Sequence, residues 1–338
     1  MQFRLAAAIP ALLPAFLAFA PAAQALTINP IFDSSVISSV YSAQIQASFQ
    51  TAASVFTSNI TNNATININV SWGSIAGQAL PSSALGASSD YYYQGLSAAS
   101  IGSWLTSAAA LPTATVAQKT SAQYIAAAVK ADAARKFALP TAQAKALGLV
   151  NPNSTSLDGY VGFGSGLKYT FSGAVQAGTY DFIAVAQHEI EEVMGRVSGI
   201  TTSANSMLTP FDLFRYTAPG VTTTSYTALS YFSIDGGMTK LATFNNASTG
   251  DRGDFNGAQA DVSNAFLSAG QTNNVLQNDF TILDVLGYTS IPGANTLPTA
   301  SAGTLVIAHA DVPEPGSMAL FATGLLGLTG ILRRRRTA

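Results

Sequence analysis

Apolar residues recur at helical spacing in two places along this chain. Ile37, Tyr41, Ile45, Phe49, Ala52 and Phe56 fall three or four positions apart, which predicts an amphipathic helix over residues 36–56. Ile183, Ala186, Ile190, Val193 and Val197 repeat the spacing and predict a second helix over residues 180–197. Between them the period changes. Ile66, Ile68 and Val70 alternate with Asn67, Asn69 and Ser71, so residues 64–72 read as a strand with one buried face. Residues 80–111 hold turn signals and the run Tyr91-Tyr92-Tyr93. Residues 117–147 are rich in Ala and Lys and read as helix interrupted at Pro140. Gly162, Gly164 and Gly166 mark residues 157–166 as an edge strand or a loop beside a ligand. Beyond Ser198 the pattern is irregular. A strand is expected over residues 226–233, a turn at Asp235-Gly236-Gly237, and a short closing helix over residues 280–286 ended by Gly287. No internal repeat is visible. The order of elements predicts an α+β domain over residues 26–290, with a twisted mixed sheet.

Both ends break from this pattern. A basic start at Arg4, an apolar run over residues 5–20 and Ala23-Gln24-Ala25 read as a signal peptide over residues 1–25. Residues 291–311 are a linker of Pro, Ser, Ala and Thr. In residues 312–338, Val312-Pro313-Glu314-Pro315 precedes a mostly apolar run from Gly316 to Leu332, and Arg333 to Arg336 follow. As a helix that run would span roughly 25 Å, close to the ~30 Å of a bilayer core, with the arginines on the cytoplasmic side. The segment resembles a PEP-CTERM sorting signal. That resemblance implies recognition by an exosortase in a Gram-negative envelope, membrane association through the C-terminal helix before processing, and delivery to the cell envelope, outer surface or extracellular matrix.

Composition narrows the chemistry. The chain has no cysteine, which excludes disulfides, thiolate metal sites and cysteine nucleophiles. Without Arg4, Arg333 to Arg336 and Glu314, 10 basic residues face 16 acidic ones, which argues against nucleic acid as a partner. The glycines at 162–166 do not have the spacing of a dinucleotide fingerprint, and there is no G-x-S-x-G nucleophile elbow.

Candidate chemistry lies on the second helix, in His188-Glu189-Ile190-Glu191-Glu192-Val193-Met194-Gly195-Arg196. In H-E-x-x-H two histidines at i and i+4 bind zinc and the glutamate activates water. Here Glu192 stands at the second position. His188 and Glu192 project to the same side of a helix and are candidate metal ligands. Glu189 is the candidate general base. The chain has only two histidines, so a three-histidine site is impossible. Ser198, at the third metzincin position, is a poor ligand. Asp212, in Pro210-Phe211-Asp212-Leu213-Phe214-Arg215-Tyr216, is the favoured third ligand, with Tyr216 or Arg215 as oxyanion donor. His309 is a weaker candidate because it lies in the linker. Met207 or Met238 could lie beneath a metal, although packing explains either. Glu191 is expected to be solvated, and Glu192 with Arg196 also reads as a surface i,i+4 ion pair worth about 0.3–0.5 kcal/mol. Gly250-Asp251-Arg252-Gly253-Asp254-Phe255-Asn256-Gly257 has the residue types of a Ca²⁺ loop without EF-hand spacing.

Together with Tyr231-Phe232-Ser233-Ile234-Asp235-Gly236-Gly237 and Asp284-Val285-Leu286-Gly287-Tyr288, these segments resemble a family of exported, PEP-CTERM-tailed bacterial metalloproteases. The resemblance runs over residues 27–288. It implies a zincin-like, metzincin-type catalytic domain with an active-site helix, Zn²⁺ as cofactor and a peptide or protein substrate. The alternative is a zincin-like surface or matrix protein that binds without catalysis.

Overall fold

The computed structural model describes residues 25–203 and 205–294. The expected signal peptide up to residue 24, the linker and sorting segment beyond residue 294, and His309 lie outside the described residues. Among the described residues no helix is long and apolar enough to cross a membrane.

The chain opens with β1 (Thr27–Phe32), a single turn α1 (Ser34–Ile37) capped by Asp33, and α2 (Ser42–Asn59). The helix expected over residues 36–56 is thus two pieces, broken between Ser38 and Tyr41. Ile45, Phe49, Ala52 and Phe56 of α2 are buried as their spacing requires. Next comes β2 (Thr65–Trp72), as expected, but both of its faces are largely buried. Asn67 is among the buried positions because it has partners: its backbone N–H donates to Asp158, and its side-chain amide donates to the Ser154 and Ser156 carbonyls.

The polar stretch after β2 holds more structure than its turn signals predict. A small hairpin, β3 (Ser74–Ile75) and β4 (Gln78–Ala79), leads to β5 (Gly86–Asp90), β6 (Tyr92–Ser97) and α3 (Ala98–Ala109). A capping box between Thr115 and Gln118 starts α4 (Val116–Ala131), which packs on α3. The helical reading of residues 117–147 holds only in part. Lys136–Pro140 is a strand, β7, paired antiparallel with β6, and α5 (Thr141–Ala146) follows it. Then come β8 (Gly159–Phe163), β9 (Tyr169–Thr170), β10 (Tyr180–Asp181) and α6 (Phe182–Met194).

The main sheet has the order β1-β2-β8-β5. Strands β1, β2 and β8 are parallel, and β5 closes one side antiparallel to β8. The edges are therefore β1 and β5, and within the glycine-rich segment read as an edge strand or a loop, Gly159–Phe163 lies inside the sheet. Its glycines serve close approach. A Cβ at Gly162 would run into the Ser74 carbonyl, and one at Gly164 into the Ala84 carbonyl. Helices α2 and α6 pack together on this sheet. Phe163 of β8 sits 4.4 Å from Phe182 at the start of α6, and Phe49 of α2 completes the layer.

After α6 a short 3₁₀ turn (Pro210–Phe214) precedes a second, antiparallel sheet. It comprises β11 (Arg215–Ala218), β12 (Val221–Thr222), β13 (Tyr231–Phe232) and β14 (Ala242–Thr243), in the order β12-β11-β13-β14. Of the strand expected over residues 226–233, Tyr231 and Phe232 form β13. Helix α7 (Gln277–Val285) closes the domain near its expected place, and the chain leaves it through Gly287 at φ 109°. The architecture is α+β.

One buried ion pair ties the parallel strands to α5. Lys145 Nζ lies 2.6 Å from Asp158 Oδ2, both are almost fully buried, and Lys145 also donates to the Thr65 and Ser154 carbonyls. Asp158 in turn accepts from Thr141 and from the Asn67 amide. Lys145→Met keeps most of the volume but leaves a buried carboxylate without its cation. We expect it to lower stability by about 3–5 kcal/mol, measured as a shifted urea midpoint.

Candidate metal centre

Helix α6 is buried along nearly its whole length, His188, Glu189, Glu191 and Glu192 included. Its start is fixed by Asp181, whose carboxylate accepts the N–H groups of Ile183 and Ala184. Its end is fixed by Gly195 at φ 119°, a left-handed C-cap that turns the chain back beneath the helix. Arg196 is the first residue after that turn, and its guanidinium reaches the His188 carbonyl.

Three donors converge there. One atom each from His188, Glu192 and Asp254 lie within 4.8 Å of one another. His188 Nε2 is 3.6 Å from both Glu192 Oε1 and Asp254 Oδ1. The other ring nitrogen, Nδ1, is 2.6 Å from the Val262 carbonyl. A carbonyl can only accept, so Nδ1 carries the hydrogen and Nε2 is turned to the two carboxylates. Ser88 of β5 donates to Glu192 Oε2 at 2.7 Å. Arg196 holds Asp254 Oδ1 at 2.6 Å and Glu191 Oε2 at 3.1 Å, with Glu192 Oε1 at 3.9 Å. His188 is 7% exposed, and Glu192, Asp254 and Arg196 are 0% exposed.

Glu189 faces an adjoining cavity. Its carboxylate lies against Gly86 of β5, where a Cβ would collide with it. With His188, Val185, Val262 and Leu267 it lines a small open pocket of about 30 Å³. Gly86 and Ser88, alternate residues of one strand, thus serve Glu189 and Glu192 respectively.

Titration behaviour follows from crowding acids in a dry interior. Burial, then the Glu192 charge, pushes Glu189 well above the usual carboxylate range. Burial, then Asp279, raises Glu191 to about 8 despite Arg196. Burial, Asp254 and Glu192 raise Asp251 to about 7. Glu192 moves the other way. Burial would raise it, but His188, Arg196 and the Ser88 hydroxyl outweigh burial and lower it. Burial alone would depress His188, yet Asp254 and Glu192 hold it well above its ordinary value.

The residues present fit a divalent cation. Buried polar atoms ordinarily have partners, but His188 Nε2, Glu189 Oε2, Glu192 Oε1 and Asp254 Oδ2 are buried with no hydrogen-bond partner. One imidazole nitrogen and two carboxylates are a donor set suited to Zn²⁺ and similar metals.

Three of the expected site residues do not join this cluster. Asp212 is a structural pin: Oδ1 accepts from Ser198 Oγ at 2.6 Å, and Oδ2 accepts the N–H groups of Gly199 and Thr209 at 2.8 and 2.9 Å. Those bonds satisfy both oxygens and tie the segment after α6 to the 3₁₀ turn. Arg215 lies flat on Phe244, its guanidinium centre 3.6 Å from the ring centroid, and donates to Ser230 and to the Arg252 carbonyl. Tyr216 packs against Gly237, away from His188. Glu191 is fully buried rather than solvated. Met238 is exposed. Of the segment read for calcium, Asp254 joins His188, while Asp251 caps a local turn at the Gly253 N–H.

Asp254 was missed because nothing periodic marks it. It lies in an irregular Asp- and Gly-rich stretch, held by isolated bridges of Phe255 to Phe244 and Asn264. The signal available was an aspartate within a glycine-rich turn, which fits a ligand loop as readily as a solvated one.

Residues 311–336 match the family model of the PEP-CTERM protein-sorting motif. The chain is therefore an exported protein sorted to the cell envelope or surface, and the motif implies recognition by exosortase sorting machinery. No curated protein and no solved structure matches the chain.

Proposed function

We propose that this exported protein is a zinc-dependent metallopeptidase with a zincin-like domain, and that His188, Glu192 and Asp254 hold the cation. Asp254 replaces Asp212 in the ligand set expected from the sequence. The observation that carries the reading is the convergence of His188 Nε2, Glu192 Oε1 and Asp254 on one spot, their buried atoms without partners, with Glu189 on the same helix beside an open pocket. When bound, zinc supplies Lewis acidity and a water that ionises near neutral pH. The chain's own residues do the rest. Val262 fixes the His188 tautomer through Nδ1. Ser88 orients the Glu192 carboxylate. Glu189 is the general base: it borders the pocket, and the charge of a bound cation would counter the burial that raises it and leave a carboxylate able to take a proton from water there.

A second reading is a non-catalytic surface or matrix protein. One observation favours it: neither Arg215 nor Tyr216 reaches the cluster, so the expected oxyanion donors are absent from it.

Two experiments test these readings. Asp254→Asn should weaken zinc binding by at least about tenfold, in line with losses seen when groups around a metal are altered. Asp212→Asn should leave zinc affinity near that of the wild type while lowering the melting temperature, because it breaks the tie between Ser198, Gly199 and Thr209. Zinc titration against a chelating dye, paired with thermal denaturation, reads both variants. The reverse pattern would return the ligand role to Asp212.

Glu189→Gln should retain zinc and lower peptide hydrolysis by roughly 10²–10⁴-fold, the contribution of a general base. Release of new termini from a denatured protein substrate measures the rate. Wild-type protein that binds zinc and cleaves nothing would leave the binding reading standing.

A further inference from the structure

Arg196 is the largest fully buried side chain among the described residues. A guanidinium is placed in a dry interior only where acids hold it. Its hydrogen bonds divide between two jobs. One branch, through Nε, meets Glu191, which points away from the donor cluster toward Ser263 and Asp279. The others meet Asp254 Oδ1, the His188 carbonyl and, at longer range, Glu192 Oε1. Arg196 therefore touches all three residues of the cluster: two by their carboxylates and one by its backbone.

The charge arithmetic explains why a cation is needed there. A site of two histidines and one carboxylate carries one negative charge from its ligands. Here Glu192 occupies the place of the second histidine, and two carboxylates with a neutral His188 carry two. The positive charge of Arg196, against both carboxylates, brings the total back to one. Geometry matters as well as charge. Asp254 comes from an irregular segment remote in sequence, and among the described residues the hydrogen bond to its carboxylate comes from Arg196.

We infer that Arg196 is the positioning residue of the cation site: its fork fixes Asp254 against the His188–Glu192 turn and offsets the charge of the second carboxylate. The inference rests on the reading of His188, Glu192 and Asp254 as a zinc site. It assigns Arg196 no contact with substrate. The planar fork presents Nε, Nη1 and Nη2 separately to Glu191, Asp254 and the His188 carbonyl, whereas an ammonium offers all its donors from one atom.

Arg196→Lys tests this on the full-length protein, since it keeps the charge and removes the fork. Zinc affinity, from competition with a chelator, should fall at least about tenfold, and the visible spectrum of the cobalt-loaded protein should change. Arg215→Lys is the control. Arg215 is also buried and hydrogen-bonded, but it lies on Phe244 and touches none of the three donors. Its loss should lower the melting temperature and leave zinc affinity and the cobalt spectrum unchanged. Should Arg196→Lys not fold, the wild type decides. The Nε–H resonance of Arg196 should move on zinc saturation and that of Arg215 should stay. Zinc affinity and a cobbalt spectrum in Arg196→Lys equal to wild type would overturn the inference, as would an Arg196 resonance indifferent to zinc. A wild type that binds no zinc would instead sink the metal reading beneath it.

Discussion

Nearly all of helix α6 is withdrawn from water, yet the helix carries one histidine and three glutamates. A carboxylate moved into a protein interior loses several kcal/mol of hydration unless partners replace it. Several groups around this helix meet that demand. Arg196 lies beneath it, Ser88 reaches across from β5, Ser263 donates to Glu191, and the Val262 carbonyl accepts the hydrogen bond from His188 Nδ1. The left-handed cap at Gly195 is part of the same solution, because it returns Arg196 to the helix it has just left. The compensation is incomplete: buried atoms of His188, Glu189, Glu192 and Asp254 lack a hydrogen-bond partner, as do Glu191 Oε1 and Asp90 Oδ1. What sets His188, Glu192 and Asp254 apart is that they converge on one spot, which supports the proposed ligand site.

This demand also explains the odd sequence of the edge strand. Residues Gly86 to Asp90 read Gly-Ala-Ser-Ser-Asp, with no large apolar side chain. A strand facing a hydrophobic core would place Val or Ile on its inner side. Facing α6, this one needs space for Glu189, a hydroxyl for Glu192 and little else. Gly86 and Ser88 supply those two things. The strand gives up hydrophobic burial, and its pairing with β8 is carried by the backbone instead.

Legibility in the sequence followed the same division. Elements stabilised by apolar periodicity were readable: α2 from Ile45, Phe49 and Phe56, β2 from its alternation, α6 from Ile190 and Val193, and α7 with its glycine stop. Strand β5 was not, because it carries Gly, Ser and Asp, the residues that also mark turns, and β6 was not, because it is largely exposed and shows no buried alternation. The Ala- and Lys-rich stretch hid β7, whose five residues follow the helix α4 and pair with a distant strand. At the site, His188, Glu189 and Glu192 were legible from helical geometry alone. Asp254 was not, because its place depends on an irregular loop held by long-range bridges. Asp212 misled for a related reason: an aspartate after a Thr-Pro-Phe is equally a ligand or a turn pin, and the Thr209 and Gly199 N–H groups show the pin.

The Glu192–Arg196 pair shows how far context changes the value of one spacing. At i,i+4 on an exposed helix such a pair contributes about 0.3–0.5 kcal/mol. Buried, with Arg196 also bonded to Glu191 and Asp254, removal of one partner leaves charges that water cannot reach, at a cost of about 3–5 kcal/mol. The surface reading of this pair and the site reading differ in magnitude by roughly tenfold, although the residues and their spacing are the same. Nothing in the local sequence separates the two, since the deciding fact is what covers the helix. The cover comes from β5 and from the segment carrying Asp254 and Val262, one on each side in sequence. On the proposed reading, glutamate at position 192 is accommodated in a cation site by the arginine that the chain brings to the same carboxylates. The departure at position 192 and the buried Arg196 are two halves of one electrostatic arrangement.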